Sequence, residues 1–294
     1  MRVAARAMLL TFLLLAAVNV SMAQDLLDLV EDNGEKKEFV TNAFKSTRII
    51  NTQSTEFLGA GVLDVRILHR FGLVNTGAQN LFGLDQANMR LGFDYGITKR
   101  LMVGIGRSNI NREFDAFVKY RLLWQAKGPE SSPVSMILIA GSTLNTMPDD
   151  VTRVNYFSSR VTYYFQLAIS RKFNDRLTLQ LTPGVVHYNL IPLASEFNDI
   201  PAIGFGGRVK VSKRIAINWD YQYVNSFFLS STYHSYAGIG VDIETGGHVF
   251  QLHFTNSAGM NERAFITRTT EQLSKMDIRF GFNLSRVFTV VKKK

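Results

Sequence analysis

The sequence predicts an all-β fold, a closed antiparallel transmembrane β-barrel of about 12 strands, with about 14 as the alternative. Three observations predict it: segments of alternating apolar and polar residues, a regular succession of short and long connections, and an N-terminal segment typical of export. The alternation is clearest over residues 88–107, where two arms flank a short break and each arm carries large apolar side chains on one face. A water-soluble sheet would also alternate, so the rest of the chain has to decide between the two.

The N-terminus has the layout of a cleavable secretory signal. Two arginines precede an apolar run over residues 8–18, and small residues precede Gln24. A single N-terminal membrane anchor is the alternative, but the apolar run is short for a spanning helix. The sequence therefore divides into a signal peptide at 1–23, a periplasmic N-terminal leader at 24–60, an outer-membrane barrel at 61–291 and a basic C-terminal tail at 292–294.

Candidate strands follow one another along the rest of the chain, and each is about as long as a tilted strand needs to be to cross a hydrocarbon core. Their outward faces carry rows of large apolar side chains, whereas the opposite faces carry charges that a soluble core does not accept. Strand 134–144 is apolar on both faces, so its alternation does not fix which face points outward. The candidates are 61–71, 87–97, 101–107, 113–124, 134–144, 159–171, 176–188, 201–211, 214–225, 234–244, 248–256 and 275–290.

Every second connection is short, and the others are mostly long. This pattern is typical of outer-membrane barrels, with short periplasmic turns on one rim and longer extracellular loops on the other. The short connections are 98–100, 125–133, 172–175, 212–213 and 245–247, and the long ones are 72–86, 145–158, 189–200, 226–233 and 257–274.

An even number of strands lets the last strand pair with the first, which leaves no open edge in lipid. Twelve strands meet this condition. Fourteen would also meet it if residues 44–52 contributed one strand and if one of our twelve candidate strands were in fact two strands. Within the leader, residues 44–51 are compatible with an extra strand, a short helix or a tether, and the sequence does not choose among them.

Several segments resemble a family of small Gram-negative outer-membrane β-barrel proteins that is known only as a domain of unknown function. The segments are 81–87 (LFGLDQA), 90–97 (RLGFDYGI), 103–107 (VGIGR), 262–266 (ERAFI) and 280–288 (FGFNLSRVF). The resemblance runs from about Lys37 to Val290. It implies a barrel in the outer membrane of a Gram-negative bacterium, and it implies no reaction.

The alternation also predicts which charged side chains face the lumen. Basic and acidic members are nearly balanced, which favours ion pairs filling the interior over an ion-selective permeation path. Glycines on the same face, such as Gly206 and Gly238, instead leave space for a plug, water or a ligand. The predicted lumen-facing charges are Asp64, Arg66, Arg70, Arg90, Asp94, Glu113, Asp115, Lys119, Arg121, Arg208, Lys210, Asp220, Asp242, Asp277 and Arg279.

The longest external loop contains a segment with helical spacing, residues 261–273. It could fold into the barrel mouth as a plug, with Arg263 or Arg268 pairing with lumen acids. A surface loop explains the same pattern equally well.

These observations predict a non-enzymatic barrel, either a narrow small-solute channel or a structural or accessory barrel of an envelope complex. The alternative is an outer-membrane lipid-modifying enzyme of the phospholipase or acyltransferase type. Its candidate bases would be His234, beside Ser235, and His253, close to Thr255, but neither forms a clear nucleophile–base pair. We therefore assign no catalytic residue, and the acidic pairs of the loops lack the spacing of a calcium motif.

The expected partners follow from the location. They are outer-membrane lipid and lipopolysaccharide, with an envelope protein complex as a further possibility. Nucleic acid is excluded, because an exported chain with no basic helix or recognition motif has no means of reading it. No cofactor or metal is predicted, and the sequence does not indicate an oligomeric state.

Overall fold

A computed structural model describes residues 36–148, 156–191, 196–245 and 248–291. The expected signal peptide, the first part of the expected leader and the basic C-terminal tail lie outside the described residues. Within them, twelve strands close into an antiparallel barrel. The strands are β1 (Val62–Leu73), β2 (Ala87–Gly96), β3 (Leu101–Ser108), β4 (Phe114–Leu123), β5 (Ser135–Leu144), β6 (Val161–Lys172), β7 (Leu177–Tyr188), β8 (Asp199–Lys210), β9 (Ile215–Tyr223), β10 (Tyr236–Thr245), β11 (His248–Thr255) and β12 (Arg279–Thr289).

Each strand pairs with its neighbours in the chain, and β12 closes the barrel by pairing with β1, with Leu284 opposite Ile67. Closure gives the backbone N–H and C=O groups of every strand a partner, which a sheet in lipid requires. The predicted fold and the count of twelve strands are confirmed, and residues 44–52 contribute no strand to the barrel.

In the part of the chain that the structure describes, helices are few and short. The α-helix α1 (Glu262–Thr267) lies in the connection between β11 and β12. Single 3-10 turns occur at Val74–Thr76, Ala78–Gly83, Ile110–Arg112, Phe157–Arg160 and Leu273–Lys275. Among the described residues, none of these helices has the length and apolar character needed to cross a membrane.

The connections separate into two rims, as the alternation of an antiparallel barrel requires. Among the described residues, the short-turn rim carries 97–100, 124–134, 173–176 and 211–214, and β10 ends and β11 begins at this rim. The long-loop rim carries 74–86, 145–148, 156–160, 189–191, 196–198, 224–235 and 256–278, with 109–113 as a short exception. At the short-turn rim, Glu38–Phe39 pairs with Ala126–Lys127 in a separate two-stranded sheet.

The two faces of the barrel wall invert the arrangement of a soluble protein. Outward side chains such as Ile105 (59% exposed), Ile239 (56%) and Phe165 (51%) form a continuous apolar surface. Inward side chains include fully buried arginines, such as Arg70 and Arg90, and the fully buried Lys119. In β5, Ile137 and Ile139 point inward and belong to an apolar cluster in the lumen, which fixes the register that the sequence left open.

Candidate functional site in the barrel lumen

The lumen contains part of the N-terminal segment. Residues 46–55, which we term the lumen hairpin, fold back on themselves, with Ile49 N–H donating to the Thr52 carbonyl at 2.8 Å and Ser54 N–H to the Thr47 carbonyl at 3.0 Å. The sequence analysis assigned 24–60 to a periplasmic N-terminal leader and left the fold of 44–51 open, and the structure places residues 46–55 of that segment inside the barrel. The physical reason is that its polar backbone finds hydrogen-bond partners on the barrel wall.

The tip of the lumen hairpin is held by one carboxylate. Oδ2 of Asp220, on β9, accepts hydrogen bonds from the backbone N–H groups of Asn51 at 3.0 Å and Thr52 at 2.9 Å. Oδ1 of the same carboxylate accepts from the Tyr236 hydroxyl at 2.6 Å. Successive N–H groups that converge on a carboxylate form charge-assisted bonds, which are stronger than neutral ones.

Side chains from other strands bind the remaining backbone of the lumen hairpin. Lys119, on β4, donates from Nζ to the carbonyls of Ser54 at 2.8 Å and Thr47 at 3.2 Å. Amide side chains on three more strands do the same: Gln180 to Gln53 O at 2.7 Å, Gln251 to Ile49 O at 2.6 Å, and Asn283 to Ile50 O at 3.1 Å. The lumen hairpin is therefore bonded to strands on several sides of the barrel.

Two inward glycines make room for the apolar residues at the tip. A Cβ on Gly206 would lie 2.5 Å from Cδ1 of Ile49, and a Cβ on Gly238 would lie 3.2 Å from Cδ1 of Ile50. The lumen hairpin occupies the space at Gly206, and it shares the space at Gly238 with the Tyr236 hydroxyl and the Asp220 carboxylate. Inward glycines were thus the sequence signal for a plug.

The long-loop mouth is filled by α1 and the residues beside it. Phe265 and Ile266 are buried, and Phe265 packs against Tyr236 with ring centroids 5.0 Å apart. Asn261 caps α1, its side chain accepting from Ala264 N–H at 2.9 Å. The loop that the sequence predicted as either a plug or a surface loop is buried in this mouth.

The two arginines of this loop have different partners. Arg263 pairs with Glu113, a predicted lumen acid at the start of β4. Arg268 lies 3.3 Å from Glu196, which belongs to the loop between β7 and β8, and its guanidinium stacks over the Tyr188 ring at 4.7 Å. Its partner is therefore a loop acid rather than one of the predicted lumen acids.

The lumen hairpin and α1 meet inside the barrel. Nη1 of Arg48 lies 2.8 Å from Oε1 of Glu262, and both side chains are completely buried. Gln53 donates to the same Glu262 oxygen at 3.1 Å. Sequence reasoning missed all three residues, because Glu262 stands in a loop motif and the other two in a segment without a strand pattern.

Most of the predicted lumen charges are buried inside the barrel. Arg90 and Asp115 form a pair with two hydrogen bonds, the longer at 2.8 Å, and Arg66 lies 3.6 Å from Asp64. The buried members are Asp64, Arg66, Arg70, Arg90, Asp94, Glu113, Asp115, Lys119, Arg121, Arg208, Asp220 and Asp242. These charges are thus placed in pairs or against polar backbone, which limits the cost of burying them.

Three predicted lumen charges lie elsewhere. Lys210 and Arg279 are half-buried at the ends of their strands. Asp277 is not on a strand at all, because β12 begins at Arg279 rather than near residue 275. Its carboxylate accepts from the Asn75 side chain at 2.8 Å in the neighbouring loop, so its placement in the lumen was wrong.

One acid beside the lumen hairpin is electrostatically perturbed. Burial raises the pKa of Glu56 above its ordinary value, while a hydrogen bond from Phe44 N–H and the charge of Arg121 oppose the rise. Glu56 follows the lumen hairpin and precedes β1, so its charge bears on how firmly this part of the chain is docked.

The two histidines of the lipid-enzyme alternative have no hydroxyl partner in the part of the chain that is described. Nε2 of His234 lies 2.9 Å from the Gln272 side chain. His253 is buried, and neither of its ring nitrogens has a hydrogen-bond partner among those residues. Across the same residues, no group of three His, Cys, Asp or Glu side chains is arranged to hold a metal ion.

Residues 44–288 match a family described as a membrane bound beta barrel domain (DUF5777). This range begins within the N-terminal segment and includes the lumen hairpin. No characterised relative matches the chain.

Solved structures with a similar barrel include porins. The NanC porin is 8% identical, covers 76% of this chain and 98% of its own, and superposes with a TM-score of 0.48. The KdgM porin is 10% identical, with 77% and 99% covered and a TM-score of 0.47. The COG4313 outer membrane channel from Pseudomonas putida F1 is 14% identical, with 80% and 98% covered and a TM-score of 0.45.

Proposed function

The chain belongs to the membrane-bound beta barrel domain family, and from this premise we propose that it is an outer-membrane barrel of a Gram-negative bacterium whose lumen is closed by its own chain. The short-turn rim faces the periplasm and the long-loop rim faces outward, the usual orientation of such barrels. Its role is non-enzymatic, as a structural or accessory barrel of an envelope complex.

One observation carries this proposal: the backbone of the lumen hairpin is hydrogen-bonded to side chains around the barrel, from Lys119 on β4 to Asn283 on β12. The tip is bonded on one side to Asp220 and linked on the other to α1 through Glu262. A segment held at this many points blocks solute passage, and a barrel blocked by its own chain is better suited to support than to diffusion.

The N-terminal segment enters the barrel at the short-turn rim. Val40 N–H donates to the Gln125 carbonyl at 2.8 Å, and the Trp124 indole N–H donates to the Val40 carbonyl at 2.8 Å. With this rim in the periplasm, the closing segment is inserted from the periplasmic side.

A narrow small-solute channel is the second candidate, and the chemistry of the lumen wall favours it. The wall that faces the lumen hairpin is rich in neutral amides, including Gln180, Gln222 and Gln251. Water can replace the hairpin backbone or the Thr52 hydroxyl as their partner at little cost. A barrel whose plug had moved would therefore keep a hydrated lumen.

Single-channel recording in planar bilayers tests both candidates. The wild-type protein is expected to show no stable open level, and a stable open level would refute the closed barrel. In Asp220→Ala, the lumen hairpin loses the acceptor at its tip. Open levels in this variant support the channel, whereas silence supports the structural role. Asp115→Ala is the matched control, because Asp115 is also a buried lumen acid but is bonded to Arg90 rather than to the hairpin.

The lipid-enzyme alternative has a separate test. Lipid hydrolysis is measured with purified protein in mixed micelles, for the wild type and for His234→Ala and His253→Ala. We expect no activity above background in any of the three. Activity that disappears in either variant would replace our proposal with the enzymatic one.

A further inference from the structure

The apolar outer wall of the barrel carries a groove between β3 and β6. At its end near the long-loop rim this open groove has a volume of about 460 Å³. It continues into a second depression of about 450 Å³, and Ile105, Ala116 and Ser142 line both. The two depressions therefore form one continuous groove.

Strand register explains the shape. Ile105 on β3 lies opposite Ala116 on β4, Ala116 lies opposite Ser142 on β5, and Ser142 lies opposite Tyr163 on β6. All four side chains point outward, so two small residues form a floor between two large ones. In the neighbouring row towards the short-turn rim, Ala140 keeps the floor low beside Phe165.

The outer end of the groove carries a cation. Phe114 and Leu144 close this end, and the guanidinium of Arg107 stacks over the Phe114 ring at 4.9 Å. Arg107 is exposed, and in the described part of the chain no carboxylate pairs with it. An unpaired arginine at the end of a groove that faces lipid is complementary to an anionic head group.

We propose that this groove binds lipopolysaccharide, with an acyl chain lying along Ala116 and Ser142 and a phosphate of its glycolipid anchor on Arg107. The assignment rests on the proposed orientation, because the long-loop rim then faces the leaflet that holds this glycolipid. It is independent of whether the lumen conducts. The bound lipid fills a depression that the small residues leave, and the guanidinium offers two parallel donors to the phosphate oxygens.

Retention of lipopolysaccharide by the purified protein tests this proposal. The protein is extracted from outer membranes and exchanged into detergent, and its bound lipid is measured by mass spectrometry. The wild type is expected to retain lipopolysaccharide. Ala116→Phe fills the groove and Arg107→Gln removes the charge, and each is expected to lower retention about tenfold or more.

Two matched controls lie on other parts of the outer wall. Ala237→Phe adds the same bulk at an outward alanine of β10, and Arg286→Gln removes an outward arginine that stacks on Phe288 at 4.9 Å near the short-turn rim. Both are expected to retain lipopolysaccharide as the wild type does. The heat-dependent shift in gel mobility shows that each variant is folded.

Several results would overturn the proposal. One is equal retention by Ala116→Phe and the wild type. Another is a phospholipid in the groove, seen as retained phospholipid that Ala116→Phe removes. A third is a dimer of the wild type that Ala116→Phe dissociates, which would make the groove a contact between two copies. None of these results bears on conductance, so the proposed closure of the lumen is tested separately.

Discussion

Arg48 and Glu262 form a completely buried ion pair with 2.8 Å between Nη1 and Oε1, although 214 residues separate them in the chain. Arg48 belongs to the lumen hairpin and Glu262 to α1, and these two elements enter the barrel from opposite rims. The pair therefore joins the two parts of the plug. Since both charges are out of water, each depends on the other for compensation.

Removing one partner of this pair is expected to loosen both parts of the plug. Glu262→Leu leaves the Arg48 charge buried and unpaired, at a cost of about 3–5 kcal/mol. Hydrogen exchange should then speed up both in the lumen hairpin and in α1. The double variant Arg48→Met/Glu262→Leu should recover much of the lost protection, because an apolar pair needs no compensation.

The control for this cycle is the pair between Lys45 and Glu244, which is partly exposed at 3.0 Å. Lys45→Met is expected to change exchange very little, since exposed pairs contribute about 0–1 kcal/mol. If the double variant lost as much protection as Glu262→Leu, the pair would not be what links the two elements.

The fit between Gly206 and Ile49 gives a second prediction. Gly206→Ala adds a methyl group that would lie only 2.5 Å from Cδ1 of Ile49, which is closer than two carbon atoms can pack. Overpacking of this kind costs about 1–3 kcal/mol of stability. Ile49→Ala removes the obstructing atoms and by itself leaves a cavity. The double variant should be more stable than the sum of the two single effects predicts.

The measurement is exchange of the Asn51 and Thr52 amides, which bind Asp220 at the tip. Gly59→Ala serves as the control, because its new Cβ would meet only ordinary contact at 3.4 Å. Additive effects of the Gly206 and Ile49 substitutions would place the tip away from β8.

The wall of the barrel could be predicted from the sequence because the face on which each side chain lies follows from the residues next to it in the chain. Alternation with a period of two residues assigns each side chain to lipid or lumen, and this placed charges such as Arg90 and Asp115 together on the inner face. Where the pattern was weaker, the prediction failed: Asp277 was assigned to a strand, but it lies in the loop before β12.

The plug could not be predicted in the same way. The lumen hairpin has no strand alternation of its own, and its partners, such as Asp220 and Glu262, lie far away in the chain. The strand that carries Asp220 and the helix α1 that carries Glu262 had to be brought together by closure of the barrel before these contacts existed. What the sequence did indicate was empty space, through inward glycines such as Gly206, without indicating what fills it.

The pKa of Glu56 predicts a dependence on pH. Burial raises this pKa in the docked state above the ordinary value of 4.5, so the docked chain holds a proton that the undocked chain has already lost. Docking is therefore favoured below about pH 4.5, and it weakens as the pH rises towards the raised pKa. Glu56→Gln keeps the neutral form at all pH values and should remove the dependence.

Tryptophan fluorescence can report this change. Trp124 binds the Val40 carbonyl and stacks on Arg121 at 3.9 Å, so it senses the N-terminal segment, and Trp219→Phe removes the second tryptophan. In that background, the Trp124 signal should titrate between acid and neutral pH with Glu56 and stay constant with Glu56→Gln. An identical titration in both would assign the change to another group.

A disulfide between Thr55 and Ser170 tests the position of the lumen hairpin most directly. The hydroxyl oxygens of these residues, one on the hairpin and one on β6, lie 2.5 Å apart. A disulfide needs about 2.05 Å between its sulfurs, so Thr55→Cys/Ser170→Cys is expected to oxidise with little movement. The natural chain has no cysteine, which makes the two new thiols the only ones that a labelling reagent can find.

After mild oxidation of outer membranes, the double variant should resist thiol labelling until it is reduced, whereas each single variant should keep one thiol that is labelled after unfolding. Cross-linking should also slow exchange of the Asn51 and Thr52 amides, because it ties the hairpin to the wall. Full labelling of the oxidised double variant after unfolding would mean that the two residues never meet and that the hairpin does not occupy the lumen.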